Sequence, residues 1–369
     1  MINKTDVFEF DAVVIGAGVV GLATANEIAD VFDSVLVVEK EADFGQHVSS
    51  RHSGVIHSGI YYHNNSLKAN LCVEGNRLLY KFCEKNNVEY LNCGKLIVGH
   101  NDNDFNKLKE LNKNGNRNGV KGLELLDSDG AKGKEPLVKC KHALWVPTTG
   151  IVDSHGLMQS LENHCQTKGV VIQYNSEIVS LNYDSIKYTL GMNFDNTIIE
   201  SKYVINSAGL WSDSIAELLG IDSYKIHFCK GDYYGSKSAD QYKCLIYPLP
   251  EKHGLGIHSV LQLDGSVSFG PNAYYVDKLD YSIDSRFQDE FYNSIHKYLD
   301  INKDDLYPDY TGIRPKPFGP RGESKDFVLQ NEAEKGFPNM INLIGIESPG
   351  LTCSLAIGKY IKKMINYSQ

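Results

Sequence analysis

The sequence predicts an α/β fold (α+β overall), with one domain built on a parallel sheet and a second built on a mainly antiparallel sheet. Near the N-terminus, a strand, a glycine turn, a helix and another strand follow one another over residues 11–39, which is the order of a βαβ unit. Between residues 227 and 270, strand-like segments follow one another without intervening helices. That second pattern is typical of an antiparallel sheet.

The composition is that of an ordinary globular protein. The 369 residues are 22% charged and 42% hydrophobic, with a net charge of −9, and this length predicts about two domains. The negative charge argues against nucleic acid as a partner, because a phosphate backbone favours a basic surface. The eight cysteines include no CxxC pair, so we expect neither a redox pair nor a metal site.

The sequence pattern also bears on location. The residues before the first strand carry Asp6 and Glu9 and contain neither a basic nor an apolar stretch, unlike a signal peptide. No apolar run approaches the ~18 residues of a membrane-spanning helix, and scattered reduced cysteines are typical of the cytoplasm. We therefore expect a cytoplasmic protein, with peripheral membrane association left open.

Residues 11–39 have the pattern of a Rossmann-like dinucleotide-binding unit. Gly16, Gly18 and Gly21 form a GxGxxG after an apolar strand, which provides a tight turn, close approach to a pyrophosphate and helix–strand packing. The N-terminus of the next helix presents N–H groups to the phosphates. Glu39, followed by Lys40, ends the second strand, where a carboxylate accepts from ribose hydroxyls and repels a 2′-phosphate. This pattern predicts FAD or NAD rather than NADP.

The remaining pattern predicts a chain of alternating segments. Helices are predicted over 67–86, 104–114, 153–167, 209–219, 285–299 and 351–365, and strands over 94–99, 170–174, 177–183, 186–194, 203–206, 227–235, 244–249, 255–263, 266–270 and 341–346. Asp264-Gly265 predicts a type I′ hairpin turn. We therefore expect a discontinuous nucleotide-binding domain at 1–90, 150–220 and 310–369, and a substrate-binding domain at 91–149 and 221–309.

A series of motifs, spread over nearly the whole chain, resembles one family. The motifs are Val55–Tyr62, Ser66–Ala69, Gly150–Asp153, Asn206–Gly209, Gly231–Tyr234, Gly254–His258, Gly270–Ala273, Thr311–Pro317 and Gly345–Gly350. In this order they resemble the L-2-hydroxyglutarate dehydrogenases and oxidases, a family of the D-amino-acid-oxidase-like FAD-dependent oxidoreductase superfamily. Two positions depart from the family pattern: Lys230-Gly231-Asp232-Tyr233 replaces Arg-Gly-Glu-Tyr, and His52 replaces an asparagine.

The resemblance implies an enzyme with non-covalently bound FAD. It would oxidise L-2-hydroxyglutarate, or a close 2-hydroxy acid, to the 2-keto acid by hydride transfer to the flavin. The implied partners are this small anionic substrate and oxygen or a quinone as electron acceptor. The alternatives are a glycerol-3-phosphate oxidase or dehydrogenase, an amino-acid oxidase of the same superfamily, and a flavin-binding module without turnover.

This chemistry needs a base for the hydroxyl proton and cationic or backbone donors for the carboxylates. His57, in a long polar loop, and His258, at the end of an apolar strand, are the candidate bases. Arg314, held in extended chain by the prolines after it, is the candidate carboxylate clamp and the third predicted catalytic residue. The other predicted substrate-binding residues are Tyr62, Lys230, Tyr233 and Ser348.

The predicted FAD-binding residues come from four parts of the chain. They are the opening motif, a polar loop after Glu39, a middle strand whose backbone would meet the adenine, and the segments before two later helices, one of whose N-termini would face the flavin. The complete predicted set is Gly16, Gly18, Gly21, Glu39, Lys40, Ser50, Arg51, His52, Ser53, Gly54, Val179, Ala208, Gly209, Gly345, Ser348, Gly350, Leu351 and Thr352.

Overall fold

The computed structural model of the chain describes residues 6–193, 197–237, 242–250, 255–322 and 325–368. Two predictions extend beyond these ranges: Phe194, at the end of a predicted strand, and Gly254, at the start of the motif that ends at His258. The chain divides into two compact units. Unit 1 comprises 1–50, 154–228 and 314–369, and unit 2 comprises 51–153 and 229–313.

The helices and strands of the described residues are as follows. The strands are β1 (Val7–Ile15), β2 (Val35–Val38), β3 (Val55–Ile56), β4 (Tyr90–Leu91), β5 (Lys95–Gly99), β6 (Glu124–Asp127), β7 (His142–Val146), β8 (Gly150–Val152), β9 (Val171–Gln173), β10 (Ile178–Tyr183), β11 (Tyr188–Met192), β12 (Ile198–Asn206), β13 (His227–Ser236), β14 (Leu245–Pro248), β15 (His258–Leu261), β16 (Val267–Gly270), β17 (Tyr274–Val276), β18 (Leu306–Lys316), β19 (Val328–Asn331) and β20 (Met340–Ile344). The α-helices are α1 (Val19–Ile28), α2 (Leu67–Asn86), α3 (Asp102–Asn118), α4 (Ser128–Lys134), α5 (Ser154–Thr167), α6 (Ser212–Glu217), α7 (Gln288–Ile295) and α8 (Gly350–Ser368).

Unit 1 is organised around a mainly parallel sheet. Its strands lie in the order β10-β11-β12-β1-β2-β9, and β20 pairs with both β12 and β19. β1 is parallel to both of its neighbours, with Val14 opposite Ile205 on β12 and Val37 on β2. The four residues of β2 are all buried, as expected for a parallel strand covered on both faces. The predicted α/β fold is confirmed.

Helix α1 packs against α8 in unit 1. A Cβ added to Gly358 of α8 would lie 2.6 Å from the carbonyl oxygen of Ala23 in α1, so the two backbones approach closely only because this residue is glycine. The first and last helices of the chain therefore belong to one core.

Unit 2 contains three smaller sheets. Their strand orders are β15-β16-β13-β17, with β18 also on β13, β14-β5-β7-β6, and β3-β8-β4. The pairs β15/β16, β13/β16, β5/β7 and β3/β8 are antiparallel, whereas β14 is parallel to β5. The mainly antiparallel character that the sequence predicts is confirmed. A shared apolar core includes Leu96, Leu144, Ile246, Phe269 and Phe291.

The units differ from the predicted domain bounds in the segment 51–90. The prediction places this segment with the nucleotide-binding unit, but it lies in unit 2. The reason is strand pairing: Val55 of β3 and Leu91 of β4 both lie opposite Ile151 of β8. The other predicted changes of domain, near residues 150, 220 and 310, lie close to the observed ones at 153, 228 and 313.

Local signals predict several element ends. Helix α2 covers the predicted residues 67–86, and the Ser66 side chain accepts a hydrogen bond from the N–H of Ala69 at 3.1 Å, as an N-cap does. The predicted hairpin of β15 and β16 forms, but its turn is not type I′. Gly265 has a φ of +88°, whereas Asp264 is absent from the residues with positive φ and its carboxylate instead accepts from the N–H of Ser266.

Other local predictions are wrong. The α-helix predicted over 285–299 is shorter in the structure, where α7 spans Gln288–Ile295. β18, an eleven-residue strand that contains Arg314, has no counterpart among the predicted strands. In the ranges that the structure describes, no helix is long and apolar enough to cross a membrane.

Candidate active site

The glycine loop of unit 1 is a tight turn in which the backbone requires glycine at two positions. Gly16 has a φ of +103°, and a Cβ there would lie 2.7 Å from the carbonyl oxygen of Ser207. A Cβ on Gly21 would lie 1.9 Å from the Gly16 oxygen, so both positions admit only glycine. Gly18 is different, because the nearest atom to its added Cβ is the Ser49 side-chain oxygen at 3.0 Å. The fold therefore does not require glycine at position 18, and the absence of a side chain leaves an open space there.

The N-terminus of α1 begins directly at this loop. Gly18 is its N-cap and makes no side-chain capping hydrogen bond, and the first turn carries no acidic residue. The Val19 N–H donates to Ser49 Oγ at 3.0 Å. A ten-residue helix with a glycine N-cap and no acidic residue in its first turn is suited to an anion, so these residues fit the pyrophosphate of a dinucleotide.

Glu39 lies at the end of β2, beside the glycine loop. Its Oε2 accepts from the N–H of Ala17 at 2.7 Å, and its Oε1 accepts from the N–H of Glu41 at 2.9 Å. An ionised carboxylate has further lone pairs, so it can also accept from ribose hydroxyls. Lys40 points elsewhere: its Nζ lies 3.0 Å from the centroid of a Trp211 ring and 3.5 Å from Glu41 Oε1.

The other predicted cofactor residues of unit 1 are spread over several loops. Ser50 is exposed, and Val179 is half-exposed on β10. The Ala208 N–H donates to Asn206 Oδ1 at 3.3 Å, and Gly209 has a φ of +56°. Each lies in the same unit as the glycine loop, and their contact with a cofactor stays a prediction.

A second helix N-terminus in unit 1 follows β20. Gly345 has a φ of +70°, and its added Cβ would meet Pro317 at 2.7 Å. Ser348 is exposed, and the buried Glu347 beside it pairs with Lys316 at 2.7 Å. Helix α8 then begins at the predicted residues Gly350, Leu351 and Thr352. Ser348 thus lies where the loop enters the helix, as predicted.

Arg314 lies on β18 and is half-buried. It belongs to unit 1, together with Ser348, whereas the two candidate histidines belong to unit 2. Its role as a carboxylate clamp stays a prediction.

The predicted residues Arg51, His52, Ser53 and Gly54 lie at the start of unit 2. The Arg51 guanidinium carbon lies 4.2 Å from the centroid of the Tyr281 ring, which is the geometry of a cation–π contact. The Gly54 N–H donates to His52 Nδ1 at 3.0 Å, and Tyr310 donates to the His52 carbonyl at 3.2 Å. These contacts order a loop that the sequence predicts only as polar.

His57 follows β3 and is buried, with 9% of its surface exposed. Its carbonyl accepts from the Asn76 amide at 2.9 Å and from the Cys72 thiol at 3.5 Å, so α2 fixes the backbone at this position. Burial lowers the pKa of His57 well below its usual value, and the charges of Lys95 and His258 lower it further. The imidazole is therefore neutral near pH 7 and can accept a proton.

His258 begins β15, whereas the prediction places it at the end of a strand, and it is buried. Its Nδ1 lies 2.7 Å from the carbonyl oxygen of Gly256. Because a carbonyl only accepts, Nδ1 carries the hydrogen, and Nε2 is the acceptor of the neutral ring. Tyr247 stacks on this imidazole with ring centroids 3.8 Å apart. His258 is thereby held in the tautomer that a base acting through Nε2 requires.

Unit 2 also contains the remaining predicted substrate-binding residues. Lys230 is buried, donates to the Ser282 carbonyl at 2.5 Å and lies 3.6 Å from Asp280. Tyr233 stacks on Tyr310 with ring centroids 4.2 Å apart. Tyr62 lines an open groove of about 760 Å³ together with cationic side chains of α3. The structure thus brings them into one unit with both histidines, but substrate contact stays a prediction.

Sequence reasoning missed Lys95. This lysine is fully buried, and its Nζ lies 4.6 Å from the ring centroid of Tyr61 and 4.5 Å from that of Tyr247. Burial lowers its pKa to about 7. In the sequence it precedes the apolar run Leu96–Val98 and has the pattern of an ordinary strand end. Side chains alternate between the two faces of a strand, so Lys95 lies on the same face as Ile97. This alternation is the only feature of the sequence that indicates its burial.

The chain is similar in sequence to one protein family and to several named enzymes. The family described as "FAD dependent oxidoreductase" (DAO) matches residues 11–364. The L-2-hydroxyglutarate dehydrogenase of Arabidopsis thaliana mitochondria is 37% identical, over 95% of this chain and 82% of that protein. The L-2-hydroxyglutarate dehydrogenase of Escherichia coli K12 is 29% identical, over 95% of this chain and 92% of that protein.

Solved structures share the fold. The dithionite-reduced, FAD-bound L-α-glycerophosphate oxidase of Mycoplasma pneumoniae superimposes with a TM-score of 0.87, covering 97% of this chain and 95% of that one at 24% identity. The L-proline dehydrogenase of P. horikoshii superimposes with a TM-score of 0.85, covering 99% and 95% at 19% identity.

Proposed function

Because the chain belongs to the FAD-dependent oxidoreductases and, within them, to the L-2-hydroxyglutarate dehydrogenase family, we propose that it oxidises L-2-hydroxyglutarate to the 2-keto acid. The observation that carries this proposal is the 37% identity to a named L-2-hydroxyglutarate dehydrogenase over 95% of the chain. FAD is the cofactor of the family, and when bound it would accept the hydride from the carbon that bears the hydroxyl. We propose that it is held non-covalently.

The residues of unit 1 fit the nucleotide part of this cofactor. Gly18 leaves space beside the N-terminus of α1, whose first turn carries no acidic residue, and this suits the pyrophosphate. Glu39 is oriented by two backbone N–H groups and suits the ribose. We therefore assign FAD binding to unit 1 and substrate binding mainly to unit 2.

The chain itself would handle the proton and the substrate anions. An alcohol does not release its proton unaided near pH 7, so a neutral imidazole is needed to accept it. His57 is kept neutral by burial, and in a neutral His258 the hydrogen on Nδ1 would leave Nε2 as an acceptor. In this proposal one of these two histidines is the base, and Arg314, Lys230, Tyr233, Tyr62 and Ser348 hold the substrate.

An experiment distinguishes this reaction from the two alternatives, the oxidation of glycerol 3-phosphate and the oxidation of an amino acid. The purified yellow protein is mixed anaerobically with L-2-hydroxyglutarate, L-lactate, glycerol 3-phosphate and an L-amino acid, and flavin absorbance is followed. We expect fast bleaching with L-2-hydroxyglutarate alone; bleaching only by glycerol 3-phosphate would replace the proposal with the structural neighbour's activity, and bleaching by none would indicate a binding module.

We propose oxygen or a quinone as the acceptor of the electrons. Reoxidation of the reduced enzyme is compared in air-saturated buffer and in anaerobic buffer with a soluble quinone. Fast reoxidation in air identifies an oxidase. Fast reoxidation by quinone alone identifies a dehydrogenase, and sedimentation with lipid vesicles then tests peripheral membrane contact.

A further inference from the structure

Lys95 occupies a position where a lysine is costly. It begins β5, an inner strand between β14 and β7, and its side chain is completely buried. Its Nζ has no hydrogen-bond partner among the residues that the structure describes. Burying an ammonium without an acceptor opposes folding, so stability does not explain this residue.

Two tyrosines flank the amine of Lys95. Its Nζ lies 4.6 Å from the ring centroid of Tyr61 and 4.5 Å from that of Tyr247. The hydroxyl groups of both tyrosines are also buried and lack a hydrogen-bond partner in the described part of the chain. Three neighbouring side chains therefore each contain a buried donor without an acceptor. An anion would satisfy all of them, because a carboxylate offers about four lone-pair sites.

The titratable groups around Lys95 come from several elements. They are Tyr61 after β3, His57 in the same loop, Cys72 on α2 and Tyr247 on β14. Burial lowers the pKa of Lys95 to about 7, and Cys72 acts in the opposite direction. A bound anion would favour the charged amine. The amine can thus become charged when an anion arrives.

We propose that Lys95, with the hydroxyl groups of Tyr61 and Tyr247, binds the substrate carboxylate that is remote from the reacting carbon. This inference rests on the proposed function, in which the substrate is a dicarboxylate. Tyr247 contacts both the Lys95 amine and the imidazole of His258. In this arrangement one aromatic ring, that of Tyr247, lies beside both the site for the remote carboxylate and a candidate base. Lys95 determines the preference for a dicarboxylate.

The first test measures binding without turnover. Glutarate and pentanoate have the same chain length, but only glutarate has a second carboxylate. Each is titrated into the oxidised, FAD-loaded enzyme, and the dissociation constant is read from the change in flavin absorbance. We expect glutarate to bind more tightly in the wild type, and Lys95→Met to reduce this preference on the order of 10- to 100-fold, as for a lost hydrogen bond to a charged group. An unchanged preference would overturn the proposal.

The second test measures discrimination between substrates. The ratio of kcat/KM for L-2-hydroxyglutarate to that for L-2-hydroxypentanoate is compared in the wild type, Lys95→Met and Lys95→Arg. We expect the ratio to fall in Lys95→Met and to recover in part in Lys95→Arg, which keeps the charge. A general defect would lower both rates and leave the ratio constant. Lys68, another buried lysine of unit 2, provides the control, since Lys68→Met should not change the ratio.

The stability of Lys95→Met gives an independent check. Methionine replaces a buried, unpaired charge with an apolar chain of similar length, so we expect the melting temperature to equal or exceed that of the wild type. If the variant does not fold, Lys95 is structural and the proposal fails. If the wild type does not oxidise L-2-hydroxyglutarate, the proposed function fails, and the glutarate titration still decides whether Lys95 binds an anion.

Discussion

The phenol ring of Tyr247 stacks on the imidazole of His258, with ring centroids 3.8 Å apart and the two planes inclined by 21°. Tyr247 is fully buried and also lies beside the Lys95 amine. The orientation of one candidate base and the position of a buried cation thus depend on the same side chain.

We predict that Tyr247→Leu lowers the rate of flavin reduction about tenfold relative to Tyr247→Phe. Phenylalanine keeps the stacked ring, whereas leucine removes a contact worth about 0.5–1.5 kcal/mol and lets the imidazole of His258 rotate. Stopped-flow absorbance with saturating substrate measures the rate. Equal rates in the two variants would show that the stack does not position His258.

Replacing His57 by glutamine should lower the rate of flavin reduction by a factor of about 100 or more, the contribution of a positioned base. His63→Gln is the matched control, because His63 lies in the same unit but is exposed. A normal rate in His57→Gln would transfer the role of base to His258, and the corresponding His258 variant would then show the loss.

The pH profile of kcat/KM should have two limbs. His57 must be neutral to accept a proton, and burial lowers its pKa, so activity should rise with pH through a value below 6.5. Lys95 must be charged to bind an anion, so activity on L-2-hydroxyglutarate should fall as pH rises through about 7. In Lys95→Met we expect the alkaline limb to disappear. The acid limb should move to higher pH, because a charge that lowers the pKa of His57 is removed. An alkaline limb that persists in this variant belongs to another group.

The three glycines of the loop should respond differently to alanine. Gly18→Ala should leave the melting temperature of the apoprotein nearly unchanged, since only a side-chain oxygen lies near the added Cβ, but should reduce bound flavin. Gly16→Ala and Gly21→Ala should destabilise the apoprotein itself, because each Cβ meets backbone. The ratio of flavin to protein absorbance and thermal melts of the apoprotein separate these effects. Full flavin content in Gly18→Ala would show that the loop does not contact the pyrophosphate.

Arg314→Lys should raise KM at least tenfold with a smaller change in kcat. A lysine keeps the charge but loses the planar, bidentate donors that match a carboxylate. Steady-state kinetics with L-2-hydroxyglutarate measures both constants. The exposed Arg321 lies nearby in the chain, and Arg321→Lys is the control expected to behave as the wild type. A normal KM in Arg314→Lys would remove Arg314 from the substrate site.

Local patterns predict local structure well here. The glycine motif with Glu39, the Ser66 cap and the apolar strand β2 form as expected. The strand β1 also forms, but it begins at Val7 and includes Glu9, which the prediction places before the first strand. The function of the loop around His57 stays a prediction. Its unit could not be predicted, because β3 pairs with β8, which comes much later in the chain.

Lys95 illustrates what local patterns do not contain. Its burial depends on Tyr61 and on Tyr247 of the distant strand β14. A single lysine before an apolar run has the same appearance whether its amine is buried or exposed. Only tertiary packing distinguishes these cases, so the cluster could be found only in the structure.

The pairing of β20 with β12 and the packing of α8 on α1 have a consequence for protein synthesis. Unit 2 ends at residue 313, and both β20 and α8 follow it in the chain. Because synthesis runs from the N-terminus, β1 and α1 are made before the whole of unit 2, whereas β20 and α8 are made after it. The core of unit 1 can therefore close only once all segments of unit 2 have been made, and until then β12 lacks β20 and α1 lacks α8.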